Sequence, residues 1–214
     1  MRGLEEIRKI EEALLIVERY EAYLFKRALG IAFIVCGVVF PLTAFMVLHA
    51  EPLAGLLNMS SGAFVTFAPT ITLLVGMAII LYSFTSAHVV TARMRKTPVK
   101  KDIAHMVVLF LVWFVAFYLT NYVPEPYTVV SWLWAGGVAS LFSYYILKRE
   151  NPSWVYPELL IVGVICLTVS VPLLLMRGSQ LVEALTFLTF GVSFIAGGFH
   201  SLINASKELS ESDK

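Results

Sequence analysis

The sequence predicts an all-α integral membrane protein with six transmembrane helices and an N-terminal amphipathic helix on the cytoplasmic side. Three observations lead to this prediction: an excess of apolar residues, long segments without charge, and basic residues gathered between alternate segments. Of the 214 residues, 58% are hydrophobic and 14% are charged, whereas soluble domains have roughly 45–50% and about 25%. A water-soluble fold of this size could not bury that excess.

Residues 1–26 are rich in charge and carry an apolar stripe. The stripe consists of Ile7, Ile10, Leu14, Val17 and Leu24, spaced at steps of three and four and interrupted by Glu21. This is the heptad pattern of a helix that buries one side. Two interpretations stay open. The helix folds against its own bundle or lies in the membrane interface, or residues 4–24 bind a cytoplasmic protein partner or a second copy of the chain.

A transmembrane domain is predicted over residues 27–206, followed by a polar cytoplasmic tail at 207–214. A bilayer-spanning helix needs about 20 predominantly apolar residues, and six windows free of Asp, Glu, Lys and Arg are long enough. The predicted spans are residues 28–49, 64–88, 103–123, 127–147, 157–176 and 182–204. Residues 52–62, between the first two spans, carry Pro, Asn, Ser and Gly in a pattern typical of a loop.

The basic residues predict the orientation of the spans. All of the 16 Lys and Arg except Arg177 fall on one side of the predicted membrane. Because basic residues near helix ends favour the cytoplasmic side, both termini are predicted to be cytoplasmic in a multi-pass protein of the cell membrane. We interpret the basic cluster at residues 93–101 as part of this signal, with attraction to anionic membrane lipids as a second effect. No nucleic-acid partner is expected.

The second, fourth and sixth spans share a glycine pattern. Gly76, Gly137 and Gly191 each precede an aromatic residue by eight positions. The six spans can therefore be grouped as three parallel hairpins related by an internal repeat. Small residues let membrane helices approach closely, so we expect the fourth and sixth spans to be central.

Candidate site residues are few, because no carboxylate or base lies near the middle of a predicted span. No catalytic or cofactor-binding residue is predicted. Three histidines and one carboxylate approach the cytoplasmic interface and are the candidates for a metal site: His88, His105, His200 and Glu158. The alternative is that these side chains only bind headgroups, water or backbone carbonyls.

The leading hypothesis is a non-enzymatic membrane subunit or scaffold of a larger assembly, in contact with membrane lipids and a cytoplasmic protein. The first alternative is a small transporter or channel for a neutral or apolar solute. The second is a membrane-embedded enzyme that acts on lipid through a histidine-based metal site.

Overall fold

The computed structural model describes residues 2–95, 100–150, 156–176 and 180–210, and within these ranges the chain is helical almost throughout, without β-strands. A short 3-10 helix, Thr120–Tyr122, follows the fourth α-helix. The α-helices are α1 (Arg2–Leu48), α2 (Ala50–Leu56), α3 (Ser61–Arg95), α4 (Lys100–Leu119), α5 (Thr128–Glu150), α6 (Pro157–Leu175) and α7 (Gln180–Ser210).

Five helices of the described chain are long and apolar enough to cross a membrane, namely α1, α3, α5, α6 and α7. This finding confirms the all-α prediction and indicates a multi-pass membrane protein. Helix α4 has 20 residues, and its described apolar part, Val107–Leu119, is shorter than the other five. The third predicted span, residues 103–123, corresponds to this helix and is not among the five.

Helix α1 is continuous across the predicted boundary at residue 26. It runs for 47 residues, which at 1.5 Å per residue is about 70 Å. Good helix formers and the absence of Pro around residues 20–32 explain the continuity, since nothing there interrupts the backbone hydrogen bonds. The N-terminal segment and the first predicted span are therefore one helix rather than two.

The segment predicted as a loop at residues 52–62 contains helix α2. Pro52 lies in the first turn of α2, where a missing backbone N–H breaks no hydrogen bond. The chain then turns at Asn58, which has a φ of 53°, and Ser60 Oγ accepts a hydrogen bond from the Ala63 N–H at the start of α3. The prediction was thus right about the turn and wrong about the residues before it.

Neighbouring helices pack antiparallel, with α7 between α1 on one side and α5 and α6 on the other. Helix α3 packs on α1, and α4 packs on α5. The expected central place of the sixth predicted span is confirmed. Its most extensive contact is with α1, however, and not with α5.

Facing glycines bring the backbones of α1 and α7 into contact. A Cβ atom added to Gly198 would lie 2.7 Å from the carbonyl oxygen of Gly30, and one added to Gly37 would lie 2.9 Å from the carbonyl oxygen of Gly191. Gly30 and Gly37 are two helical turns apart, as are Gly191 and Gly198. The contact therefore repeats along one seam between the two helices.

The glycines of the predicted repeat all lie in close helix contacts, but their partners differ. Gly76 faces Val39 of α1, Gly137 faces Gly163 of α6, and Gly191 faces α1. The packing reason for the pattern is therefore present at each site. A threefold repeat of hairpins stays a prediction, because the three contacts are not equivalent.

Aromatic side chains fill the centre of the bundle. The stacked rings of Phe190 and Phe194 are 4.2 Å apart, and Phe33 packs against Phe194. Trp113 Nε1 donates to Ser143 Oγ at 3.0 Å, and another indole, on α5, donates to α6. These bonds satisfy the indole N–H groups in a region where no water competes.

We predict that Gly198→Ala destabilises the bundle by about 1–3 kcal/mol, the typical effect of overpacking. The added Cβ would lie 2.6 Å from Ile34 Cγ1 as well as against the Gly30 backbone, so relaxation requires the two helices to separate. Gly62→Ala is the matched control, because no atom lies within 4 Å of its added Cβ. Unfolding free energies in micelles measure the difference; equal stability of the two variants would contradict a tight α1–α7 contact.

Candidate functional site

One end of the bundle, which we call the basic end, collects polar side chains from α1, α6 and α7. Glu158 lies there in the first turn of α6 and is only 1% exposed. Close packing of α6 on α7 buries it, because a Cβ added to Gly197 would lie 2.8 Å from Val162 Cγ2. The start of a helix also favours a carboxylate through the helix dipole.

Glu158 is held from α7 by two side chains. His200 Nδ1 is hydrogen-bonded to Glu158 Oε1 at 3.0 Å, and Asn204 Nδ2 donates to the same oxygen at 3.2 Å. His200 is half exposed on its other side. The second carboxylate oxygen, Oε2, is buried and has no hydrogen-bond partner within the described part of the chain. The Glu158 carboxylate therefore has one oxygen that is hydrogen-bonded and one buried oxygen that is not.

Two further contacts connect α1 to this cluster. Lys26 forms an ion pair with Glu208, and Ser201 Oγ donates to the Lys26 carbonyl oxygen at 2.9 Å. Tyr156, just before α6, is buried, and burial together with the charges of Glu158 and Glu208 raises the pKa of its phenol. Lys26, Tyr156, Glu158, His200, Asn204 and Glu208 form what we call the basic-end cluster.

Of the four residues predicted to hold a metal, the structure brings Glu158 and His200 together. His88 is buried elsewhere, with its ring 4.7 Å from that of Phe25. The side chain of His105 lies outside the described residues. Among the side chains that the structure describes, no group of three His, Cys, Asp or Glu could hold a metal ion. The four-residue metal site stays a prediction.

Asn204 and Tyr156 were missed by the sequence analysis. Asn204 follows His200 by four residues, so the two side chains share a helix face, and this spacing is visible in the sequence. The place of Tyr156 depends on how the chain enters α6, which no local pattern indicates. The ion pair of Lys26 with Glu208 depends on the α1–α7 register.

A second candidate region is the α1 arm, residues 2–17, which precedes the contacts of α1 with the bundle. Ile10 and Leu14 are 61% and 62% exposed, and Val17 is half-buried. We call Ile10 and Leu14 the exposed stripe; Leu15 and Ile16, on other faces of α1, are 54% and 61% exposed. Burial of the helix begins at Glu21 and Ala22. The stripe therefore does not fold back against its own bundle, as one of the two sequence interpretations had it.

The apolar part of α1 runs from Ile10 to Leu48, 39 residues, which is about twice the length that crosses a bilayer. Residues 28–48 carry no charge and extend about 30 Å, which matches the thickness of the core. Val17 then lies about 16 Å beyond the core along the helix, farther than the headgroup layer of roughly 5–8 Å. Exposed apolar patches that are rimmed by polar residues are typical of interaction sites.

No protein-family model, curated protein or solved structure matches this chain. Inference of function therefore starts from its own residues.

We predict that Glu158→Ala lowers the unfolding free energy by about 1–3 kcal/mol, the cost of leaving buried donors unsatisfied. Glu158→Gln keeps the acceptor at Oε1 and should cost less. Glu183→Ala is the control, because Glu183 lies in the first turn of α7 and is only partly buried. Chemical unfolding in micelles gives the three values. Equal losses for Glu158→Ala and Glu183→Ala would show that the contact with His200 and Asn204 contributes nothing.

We predict that the stability conferred by Tyr156 falls at alkaline pH. The raised pKa keeps the phenol protonated in the folded chain, while in the unfolded chain the phenol loses its proton above about pH 10. Stability is thus fully present below the unfolded pKa and falls by up to about 1.4 kcal/mol per pH unit above it. Unfolding measured from pH 9 to 11 should show a steeper decline for the wild type than for Tyr156→Phe. Parallel pH profiles would contradict a buried, protonated Tyr156.

Proposed function

We propose that this protein is a non-enzymatic, six-span membrane subunit or scaffold whose α1 arm binds a protein partner. Both termini are proposed to lie in the cytoplasm and the six spans in the cell membrane. The single observation that carries the proposal is the exposed stripe on a helix that is continuous with the first span.

The antiparallel packing of neighbouring helices supports six passes. Alternation brings Lys26, His88, Lys148 and Glu158 to the same end of the bundle, and six passes require that α4 also crosses the membrane between α3 and α5. Lys148 and Arg149 lie in the last turn of α5, where cations also interact favourably with the helix dipole. The excess of Lys and Arg at this end supports its assignment to the cytoplasm.

The rigidity of the α1 arm supports a docking function. The arm continues a helix that is fixed to α7 by the glycine seam and the basic-end cluster. A helix that is already formed loses little conformational freedom when a partner binds, so more of the contact energy appears as affinity. Recognition of an amphipathic helix through residues three and four apart is a common mode of protein binding.

A transporter for a neutral solute is the second candidate, and one observation favours it. Ser140 Oγ and Thr186 Oγ1 are fully buried hydroxyl oxygens without hydrogen-bond partners, and such groups could bind a polar part of a solute. It ranks second because the bulky, fully buried side chains of Leu133, Phe190 and Phe194 occupy the same core.

We predict that Ile10→Glu removes partner binding and that Ile16→Glu does not. The two isoleucines are equally exposed, at 61%, but they are six positions apart and therefore lie about 120° apart around the helix. Each variant is purified in mild detergent from native membranes, and co-purifying proteins are quantified against the wild type by mass spectrometry. A set of proteins lost only with Ile10→Glu supports a subunit or scaffold. Identical protein sets for all three forms would refute this proposal.

A further inference from the structure

Acidic residues border the exposed stripe. At 100° per residue, Glu11 and Glu18 lie along one edge of the stripe, and Glu6 lies along the other. Glu6 and Glu11 are exposed in the structure. By sequence position, Arg19 falls on the opposite side of α1. The apolar surface available to a partner is therefore flanked by carboxylates on both edges.

The acidic borders argue against the membrane as the occupant of the stripe. Helices that lie on a membrane surface carry Lys and Arg beside their apolar face, because the cytoplasmic leaflet is negatively charged. Here the groups nearest to the headgroups would be glutamates, which the leaflet repels. The continuous helix also holds the stripe beyond the headgroup layer.

The same charges argue against a second copy of the chain as the occupant. In a two-helix coiled coil, the residues that flank the apolar seam on one helix face the flanking residues of the other. Glu6 would face Glu11 in a parallel pair, and glutamate would face glutamate in an antiparallel one. Like charges in this arrangement are destabilising.

We propose that the exposed stripe docks an amphipathic helix of a different protein, with apolar residues at heptad spacing bordered by Lys or Arg. The inference rests on the proposed function and adds the chemistry of the partner. Apolar side chains of the partner cover Ile10 and Leu14, and its basic borders pair with Glu6 and Glu11. Charge complementarity selects this partner, while burial of the stripe supplies most of the affinity.

The test uses the full-length protein in lipid nanodiscs and two synthetic helical peptides about three heptads long. Both peptides have leucine at the seam positions; one has lysine and the other glutamate at the flanking positions. Fluorescence anisotropy measures their affinities. We expect the lysine-bordered peptide to bind at least about tenfold more tightly, with the difference shrinking as salt is raised.

A charge-inverted variant sharpens the test. Glu6→Lys combined with Glu11→Lys should reverse the preference, so that the glutamate-bordered peptide binds more tightly. Glu12→Lys is the matched control, because Glu12 is one residue from Glu11 but lies outside the borders of the stripe. It should leave the preference unchanged. Both altered positions are exposed, so the inverted variant should fold as the wild type does.

Three results would overturn the inference: equal affinity for the two peptides, competition by vesicles that contain anionic lipid, or a disulfide between two copies of a Leu14→Cys variant. Its failure can be distinguished from failure of the proposed function. If native partners are lost with Ile10→Glu but retained by the charge-inverted variant, the subunit proposal stands and the basic-border inference fails. If Ile10→Glu retains them all, the proposed function fails.

Discussion

The backbone contact between α1 and α7 is the constraint on which the rest of the structure depends. Because Gly30, Gly37, Gly191 and Gly198 have no side chains, the two helices approach until their backbones touch, at the spacing of two helical turns. Van der Waals contact of this kind drives helix association in lipid, where the hydrophobic effect between helices is absent. The seam fixes the register of α7 against α1, and it therefore also fixes where the other faces of both helices point. One consequence is the exposed stripe at the start of α1, and another is the basic-end cluster on α7.

The basic-end cluster illustrates how polar contacts complement a seam of small residues. Close packing by glycines tolerates small slips along the helix axis, whereas a hydrogen bond to a buried carboxylate does not. Glu158 accepts from His200 and Asn204, and Ser201 of α7 donates to the Lys26 carbonyl of α1. These bonds tie α6, α7 and α1 at one level of the bundle. Burying a carboxylate costs free energy, and the hydrogen bonds from His200 and Asn204 offset that cost only in this register, so Glu158 helps to specify one register among several apolar alternatives.

The limits of sequence analysis follow from the range of each interaction. Absence of charge over about 20 residues is a local property imposed by lipid, so six spans could be predicted, and five of them correspond to described helices that are long and apolar enough to cross a membrane. The glycine seam could not be predicted from one helix alone. The sequence pattern singled out Gly191, but the role of Gly30 and Gly37 is visible only once α7 is seen to pack against them. Likewise, the predicted helix ends indicated that Glu158 and His200 lie at the same level of the bundle. Only the packing of α6 on α7 shows that their side chains also face each other and that His88 lies elsewhere. The continuity of α1 through residue 26 could have been predicted, because the sequence has no helix breaker there.

The exposed stripe and Lys26 of the basic-end cluster lie on one continuous helix, α1. This helix connects the periphery of the protein to its interior. If a partner binds at Ile10 and Leu14 as proposed, it pulls on a helix whose next supports are the buried Glu21 and the Lys26 contacts with α7. No hinge glycine or proline lies between the stripe and Lys26, so a tilt of the α1 arm is transmitted rather than absorbed. The transmitted movement acts on the α1–α7 seam and, through His200 and Asn204, on the start of α6. A membrane subunit built in this way holds its partner at a fixed distance and angle from the bilayer, which a flexible tether of the same length would not do.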